Sequence, residues 1–228
     1  MGRIEQVVDE HVASISHDLK NPLSVIAIDV KTLEDCFGEQ FSRDARTALR
    51  RIALNVAFMD RMIRDLLDLS ALDCNRLQLH RDRIDLARLL PDTVERSVIE
   101  CDRSRVCVDA HEAAVVRCDV TRIERVVANL LLNALTYAPA TPVVLRLQTI
   151  GGYARVSVID LGPGLSEDEV ATLFAKHHRG RATLHRDSSG LGLFVSRKII
   201  EAHNGRIGAE SRIGCGSTFY FELPLFDD

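Results

Sequence analysis

The chain has 228 residues, of which 46% are hydrophobic and 27% charged, and its formal net charge is −4. These values are typical of a globular protein with one large or two small domains, and they argue against a strongly basic surface for nucleic acid. No run approaches the ~20 apolar residues of a membrane helix and no signal peptide is recognisable, so we expect no membrane contact within this chain. The six cysteines form no C-x-x-C pair, which argues against a disulfide framework or a zinc site.

The first predicted element is a long amphipathic helix over about residues 5–35. Its apolar residues recur every three or four positions on one stripe, and they are Val8, Val12, Ile15, Leu19, Leu23, Ile26, Val30 and Leu33. His17 lies opposite this stripe with Asp18 next to it, and Asn21 lies one turn further on the same side as His17. Because Pro22 has no N–H, we expect the helix to bend or loosen after the histidine. A His-Asp pair placed in this way is either a solvated surface pair or a reactive site.

A second long helix is predicted to follow a short break at residues 36–40 and to end near residue 73. Its apolar residues alternate three and four apart, as in a coiled coil, and they are Leu49, Ile52, Val56, Met59, Ile63 and Leu66. Two such helices form an antiparallel hairpin with too little interior to bury both stripes. We therefore expect a homodimer in which two hairpins make a four-helix bundle. The alternative is a monomeric hairpin that packs on the downstream domain.

Beyond a connector near residue 79 the pattern becomes mixed, so the predicted domains are residues 1–79 and 80–228. Helices are predicted over residues 86–99, 121–137 and 191–202. Strands are predicted over residues 106–109, 115–118, 142–148, 153–159, 206–210 and 217–223. Mostly antiparallel strands with interspersed helices indicate one sheet covered by helices on one face. The expected fold class is α+β with two domains, a helical hairpin that forms a dimeric four-helix bundle and then an α/β sandwich.

Four separate clusters in the second predicted domain contain residues suited to a nucleotide. Asn129 and Asn133 share one helix face, and an amide oxygen is a suitable ligand for Mg²⁺. Asp160 ends an apolar strand and begins Asp-Leu-Gly-Pro-Gly, where a carboxylate can accept a hydrogen bond from an adenine amine. Gly190-Leu-Gly-Leu opens the last helix, where glycine N–H groups suit phosphate, and Gly214-Cys-Gly-Ser-Thr-Phe lies in the final hairpin. Each cluster alone also fits a helix cap or an ordinary turn.

The segment Ser16-His17-Asp18-Leu19-Lys20-Asn21-Pro22-Leu23 resembles the H-box of sensor histidine kinases. The four clusters, in their order, resemble the Bergerat-type ATP site that these kinases share with gyrase-like ATPases. The resemblance covers nearly the whole chain and implies ATP and Mg²⁺, with His17 as the acceptor of the γ-phosphoryl group and Asn133 as the metal ligand. The nucleotide-binding residues that it implies are Asn129, Asn133, Tyr137, Asp160, Gly162, Gly164, Gly190, Leu191, Gly192 and Thr218.

The segment between the second and third clusters resembles the family's lid over the nucleotide. Phe174 matches the F-box, and Arg179 matches the arginine that the family places near the γ-phosphate. Two departures qualify the match, since Thr136 stands where the family usually has lysine and Ser188 where it often has glycine. The cation lost at Thr136 would weaken nucleotide binding or slow transfer unless Arg179 or Lys176 replaces it.

The predicted function is that of a protein histidine kinase in a two-component system. We expect His17 to attack the γ-phosphorus of ATP and Asp18 to accept a hydrogen bond from the other ring nitrogen of His17. Arg179 and the metal would neutralise charge on the transferring group. The resemblance implies transfer from phospho-His17 to an aspartate of a response regulator receiver domain, and a role for Asn21 in dephosphorylating that regulator. The expected location is cytoplasmic, as a separate protein or as the cytosolic part of a longer sensor.

Two other functions remain as alternatives. One is a phosphotransfer scaffold with an inactive ATP domain, which Thr136 favours and which the intact Asn133, Asp160 and glycine pairs oppose. The other is a Bergerat ATPase that works by conformational change without a phosphohistidine. That class needs a general base for water, whereas this chain offers an exposed histidine on a separate helical hairpin.

Overall fold

The structure is a computed structural model that describes residues 2–38, 40–73, 79–139, 141–175 and 191–226. For some of these residues, including all of 2–18, it describes the helical backbone but not the side chain. The chain divides into two compact units, a helical hairpin and a larger α/β unit. None of the helices within the described ranges is both long enough and apolar enough to cross a membrane.

The hairpin consists of α1 (Gly2–Phe37) and α2 (Arg43–Asp73), the two long helices that the sequence predicts. α1 continues through Pro22, so the expected loosening does not interrupt the helical backbone. The hairpin has a small apolar core, against which Leu67 also packs; its members are Leu23, Val56 and Ile63.

Along each helix of the hairpin, buried apolar positions alternate with positions that remain well exposed. Among the exposed large apolar residues of α1, three lie seven residues apart, namely Leu19 (48%), Ile26 (40%) and Leu33 (38%). Val25, Ile28 and Phe37 are also exposed but fall outside this spacing. On α2 the exposed positions are Ile52 (43%) and Met59 (42%). One hairpin therefore buries one side of its coiled-coil stripe and leaves the other side uncovered.

The α/β unit contains two sheets and five helices within the described ranges. Its helices are α3 (Leu86–Ser97), α4 (Glu100–Arg103), α5 (Val120–Tyr137), α6 (Glu167–Thr172) and α7 (Gly192–Ala202). Its strands are β1 (Asp82–Asp85), β2 (Val106–Asp109), β3 (Val115–Cys118), β4 (Val143–Ile150), β5 (Tyr153–Asp160), β6 (Arg206–Ser211) and β7 (Ser217–Pro224). Five strands form the larger sheet in the order β2-β4-β5-β7-β6, in which β2 and β4 are parallel and the other pairs antiparallel.

The smaller sheet pairs β1 with β3, so the expectation of a single sheet is wrong. β1 reads Asp-Arg-Ile-Asp, which has no strand pattern, and it forms because it lies beside β3 with Asp82 opposite Cys118. Two short helices, α4 and α6, were not predicted either. α6 begins with a capping box in which Ser166 and Glu169 each accept the other's backbone N–H, a signal that the sequence does contain.

The core of the α/β unit lies between the larger sheet and the helices. Alternate residues of β4, β5 and β7 are buried on this face, and they are Val143, Leu145, Leu147, Ala154, Val156, Val158, Phe219, Phe221 and Leu223. α5 contacts β4 and β5 and buries the apolar residues predicted for it, which are Ile123, Val126, Val127, Leu130 and Leu131. The opposite face of the sheet is more polar, and there the guanidinium of Arg155 lies 3.7 Å from the ring centre of Tyr220.

A buried histidine joins the start of α5 to the end of α7. The backbone N–H of Asp119 donates to Nε2 of His203 at 3.0 Å, and Nδ1 of His203 donates to the carbonyl of Ile199 at 2.7 Å. The Asp119 carboxylate caps α5 by accepting from the N–H of Arg122 at 3.2 Å. Burial lowers the pKa of His203, so the neutral ring that this arrangement needs is favoured. The two helices are thereby fixed in one orientation over the sheet.

Candidate functional site

The site is built around Asp160, the last residue of β5, which is 5% exposed. Its Oδ1 accepts from the N–H of Gly162 at 2.8 Å, and the backbone N–H of Ser217 also donates to the carboxylate. Burial raises the pKa of Asp160, and these two hydrogen bonds oppose the rise without cancelling it. A carboxylate held in this way has lone pairs left to accept from an amine group of a ligand.

The loop that follows Asp160 is tied to the turn between β6 and β7. The carbonyl of Pro163 accepts from the N–H of Gly214 at 2.7 Å. Gly164 has a φ of +71°, and a Cβ at this position would collide with the carbonyl of Arg212. Two glycine clusters that lie far apart in the sequence therefore form one wall of the site.

Asn129 of α5 lies against the first turn of α7. Its Nδ2 donates to Oγ of Ser196 at 3.0 Å. A Cβ on Gly192 would lie 2.5 Å from Oδ1 of Asn129, so the glycine is what allows the two helices to approach this closely. The structure thus brings together the asparagine cluster and the glycine cluster that opens α7.

The C-terminal end of α5 lies against the Asp160 loop. A Cβ on Gly162 would lie 3.2 Å from Cβ of Ala138 and 3.3 Å from the carbonyl oxygen of Tyr137, and Tyr137 itself is half-buried. Arg105, which the sequence analysis missed, holds this end in place because its Nη2 donates to the carbonyls of Ala138 at 2.5 Å and Thr141 at 3.2 Å. Its Nη1 also donates to Oδ1 of Asp102 at 2.8 Å. The two carbonyl groups lie more than 30 residues away along the chain, so no local pattern indicates the role of Arg105 at this helix end.

Asn133 is half-buried one turn after Asn129, and its amide makes no hydrogen bond to another residue that the structure describes. Mg²⁺ prefers six oxygen ligands and commonly takes most of them from phosphate and water. Within the described ranges no group of three His, Cys, Asp or Glu residues could hold a metal ion. The amide oxygen of Asn133 is of the ligand type that suits such an ion.

Thr218 is not brought to Asp160. In the register of β5 and β7, Asp160 pairs with Ser217, whereas Thr218 pairs with Ile159. Because side chains alternate between the faces of a strand, Ser217 (7% exposed) shares the buried face of Asp160 and Thr218 lies on the other face. Ser217 therefore replaces Thr218 in the candidate site, a correction that depends on a strand register the motif does not show.

The remaining predicted residues divide between described and undescribed parts of the chain. Leu191 is buried directly before α7, Phe174 is half-buried shortly after α6, and Asn21 is exposed on α1. The side chains of His17 and Asp18 lie outside the part of the chain that the structure describes. The same holds for the whole of Arg179 and Gly190.

Two family models match the chain, in the order that the sequence predicts. The His Kinase A (phospho-acceptor) domain matches residues 8–75, which include His17 and Asn21. The family model described as "Histidine kinase-, DNA gyrase B-, and HSP90-like ATPase" matches residues 118–227, which include Asn129, Asn133 and Asp160.

Curated relatives are similar over almost the whole of this chain. The adaptive-response sensory kinase SasA of Synechocystis sp. is 33% identical over 235 residues, which cover 97% of this chain and 60% of the relative. SasA of Gloeothece citriformis is 31% identical, over 96% of this chain and 58% of the relative. The chain thus spans about 60% of the length of these relatives.

Solved structures share the fold. The crystal structure of full-length ShkA in complex with AMPPNP has a TM-score of 0.69 at 23% identity, over 96% of this chain and 46% of ShkA. The catalytic domain of the histidine kinase ThkA has a TM-score of 0.56 at 28% identity, over 64% of this chain and 96% of that domain. With both domains present in this order, the chain belongs to the sensor histidine kinases and comprises their catalytic core.

Proposed function

We propose that the α/β unit binds Mg²⁺·ATP, that His17 is phosphorylated, and that the phosphoryl group then passes to an aspartate of a response regulator. The observation that carries this proposal is the buried carboxylate of Asp160, held by two backbone N–H groups in a loop that contacts the end of α5. Asp160 provides an acceptor for the exocyclic amine of adenine. The same helix carries Asn129 and Asn133, whose amides suit phosphate and its metal ion.

In the transfer step, a ring nitrogen of neutral His17 forms a bond to the γ-phosphorus. The bond from this phosphorus to the β–γ bridging oxygen breaks, and ADP leaves with that oxygen. Asp18 follows His17 in the chain and would accept a hydrogen bond from the other ring nitrogen, which stabilises the positive charge that develops on the ring. A metal ion held by Asn133, together with Arg179, would offset the negative charge of the phosphates.

The hairpin would act as a homodimer. Leu19, Ile26 and Leu33 lie seven residues apart and are 38–48% exposed, so one copy leaves half of its apolar stripe in water. A second hairpin placed on this stripe would complete a four-helix bundle. We assign residues 1–79 to this dimerisation and phosphotransfer domain and residues 80–228 to the ATP-binding domain, and we place the reaction in the cytoplasm, where ATP is supplied.

The same hairpin would also dephosphorylate the regulator. Asn21 is exposed one turn after His17, where its amide could orient a water for in-line attack on an aspartyl phosphate. This role requires no contact with ATP. It therefore predicts that kinase and phosphatase activities depend on different residues of the chain.

Incubation with ATP radiolabelled in the γ-phosphate tests the proposal. We expect the wild-type chain to gain an acid-labile, base-stable label and His17→Ala to gain none while it keeps its dimer and its affinity for ATP. Labelling of His17→Ala near the wild-type level would contradict His17 as the acceptor. Wild-type hydrolysis of ATP without label would favour the conformational ATPase, and failure to bind ATP would favour the inactive scaffold.

A further inference from the structure

Three polar side chains form a row across the strands that end at the candidate site. Asp160 of β5 pairs with Ser217 of β7, and Ser217 pairs with Ser211 of β6. All three lie on the helix-covered face of the sheet, where Asp160 and Ser217 are 5% and 7% exposed. Polar groups in such a place need hydrogen-bond partners. Ser211 and Ser217 bond to each other through their Oγ atoms, and the Asp160 carboxylate accepts from the backbone N–H groups of Gly162 and Ser217.

The hydroxyl of Ser211 contacts two backbone groups and one side chain. Its Oγ accepts from the N–H of Leu165 at 2.8 Å and lies 2.8 Å from the carbonyl oxygen of Gly216 and 2.9 Å from Oγ of Ser217. A serine hydroxyl has one hydrogen to donate and two lone pairs to accept. Ser211 can therefore donate to Gly216 or Ser217 while it accepts from Leu165.

Leu165 ends the loop that begins at Asp160. At its start, the N–H of Gly162 donates to the Asp160 carboxylate, and at its middle Pro163 accepts from Gly214. The hydrogen bond from Leu165 to Ser211 fixes the far end of this loop to β6. Ser166, the next residue, caps α6, so a shift at Leu165 would move both the loop and the start of that helix.

We propose that Ser211 is a positioning residue for recognition of the adenine base. It acts through the loop, which it holds so that the N–H of Gly162 stays on the Asp160 carboxylate and the free lone pairs of the carboxylate stay aimed at the base. Ser211 itself does not touch the nucleotide. The inference rests on the proposed function, in which Asp160 accepts a hydrogen bond from the exocyclic amine of ATP.

Inosine triphosphate separates this role from a general effect on binding, because its base has a carbonyl where adenine has the amine. Dissociation constants for ATP and inosine triphosphate would be measured with the full chain for the wild type, Ser211→Ala and Ser211→Thr. We expect the wild type to prefer ATP, and Ser211→Ala to lose about tenfold in ATP affinity with little change for inosine triphosphate. Ser211→Thr keeps the hydroxyl on a strand residue and should restore the preference.

Ser157→Ala is the matched control. Ser157 is a 5% exposed serine of the same sheet, and it pairs with Tyr220 on the face opposite Asp160. This variant should keep the wild-type preference, and thermal unfolding of every variant reports any loss of fold.

Two results would overturn the inference while leaving the proposed function intact: equal losses for both nucleotides in Ser211→Ala, or an unchanged preference in that variant. A wild-type chain that binds neither nucleotide, or binds both equally, would instead contradict the assignment of Asp160, and the inference with it.

Discussion

The two units of this protein bury their apolar side chains to very different extents. The largest buried side chains of the described protein, among them Leu130, Ile199 and Phe221, are less than 2% exposed and belong to the α/β unit. In the hairpin, buried positions alternate with residues such as Ile26 and Met59, which are 40% and 42% exposed. The α/β unit therefore has a complete core within one chain, whereas the hairpin has half of one.

This difference has a thermodynamic consequence. A unit with its own core unfolds independently of protein concentration, whereas a hairpin that shares its core with a second copy gains stability as the dimer forms. Substitutions in the α/β unit should then leave dimerisation intact, and substitutions on the exposed stripe of the hairpin should leave ATP affinity intact.

Asn133→Ala should reduce autophosphorylation by about 100-fold or more, because it removes the proposed metal ligand at the point where phosphate charge must be offset. The dimer should persist, since Asn133 belongs to the α/β unit. Labelling rates and sedimentation of the same preparation measure both properties. Thr121→Ala, an exposed threonine on the same helix, serves as the control. Normal activity of Asn133→Ala would mean that the asparagine is only structural.

Ile26→Lys should weaken dimerisation by about 100-fold or more, because two copies each lose the burial of one isoleucine, about 1.5–3 kcal/mol per side chain. ATP affinity should not change. Ile28→Lys is a matched control, since Ile28 is 64% exposed and lies outside the heptad positions of Leu19, Ile26 and Leu33. Equal effects of the two lysines on the dimer would contradict the assignment of the interface to the exposed stripe.

Asn21→Ala should slow dephosphorylation of the cognate regulator by about tenfold, because a positioned water contributes modestly to such a reaction, and should retain autophosphorylation. Measuring both rates on one preparation tests whether the hairpin separates its two activities. If Asn21 only stabilises the helix near Pro22, both rates should fall together, and the water-positioning role would be ruled out.

ATP affinity should fall several-fold as the pH is lowered through the pKa of Asp160, beginning at a higher pH than it would for an exposed aspartate. The reason is that burial raises the pKa of Asp160, and only the ionised carboxylate accepts the adenine amine with full strength. Affinity is therefore highest above the raised pKa and is lost as the pH falls through it. Asp160→Asn should bind ATP more weakly and with a flatter pH profile; a profile as steep as that of the wild type would assign the titration to another group.

The sequence predicted the parts of this protein whose signals are local. The stripes on α1 and α2, the apolar positions of α5, and the hairpins β4–β5 and β6–β7 all have a short period that can be read without knowing the fold. The sequence also predicted the family, because the motif around His17 and the four clusters follow one another in the family's order. The two matching family models confirm this prediction. The residue roles inside the site remain predictions.

What the sequence determined by itself was where the long helices and the longer strands lie, and to which family the chain belongs. What only the tertiary structure decided was which atoms meet there. Ser217 takes the place of Thr218 because strand register sets which face a side chain occupies, and a motif read along one strand does not contain that register. Arg105 and Ser211 act through backbone groups more than 30 and more than 40 residues away. Such contacts depend on pairings between distant segments, which form only when the whole unit folds.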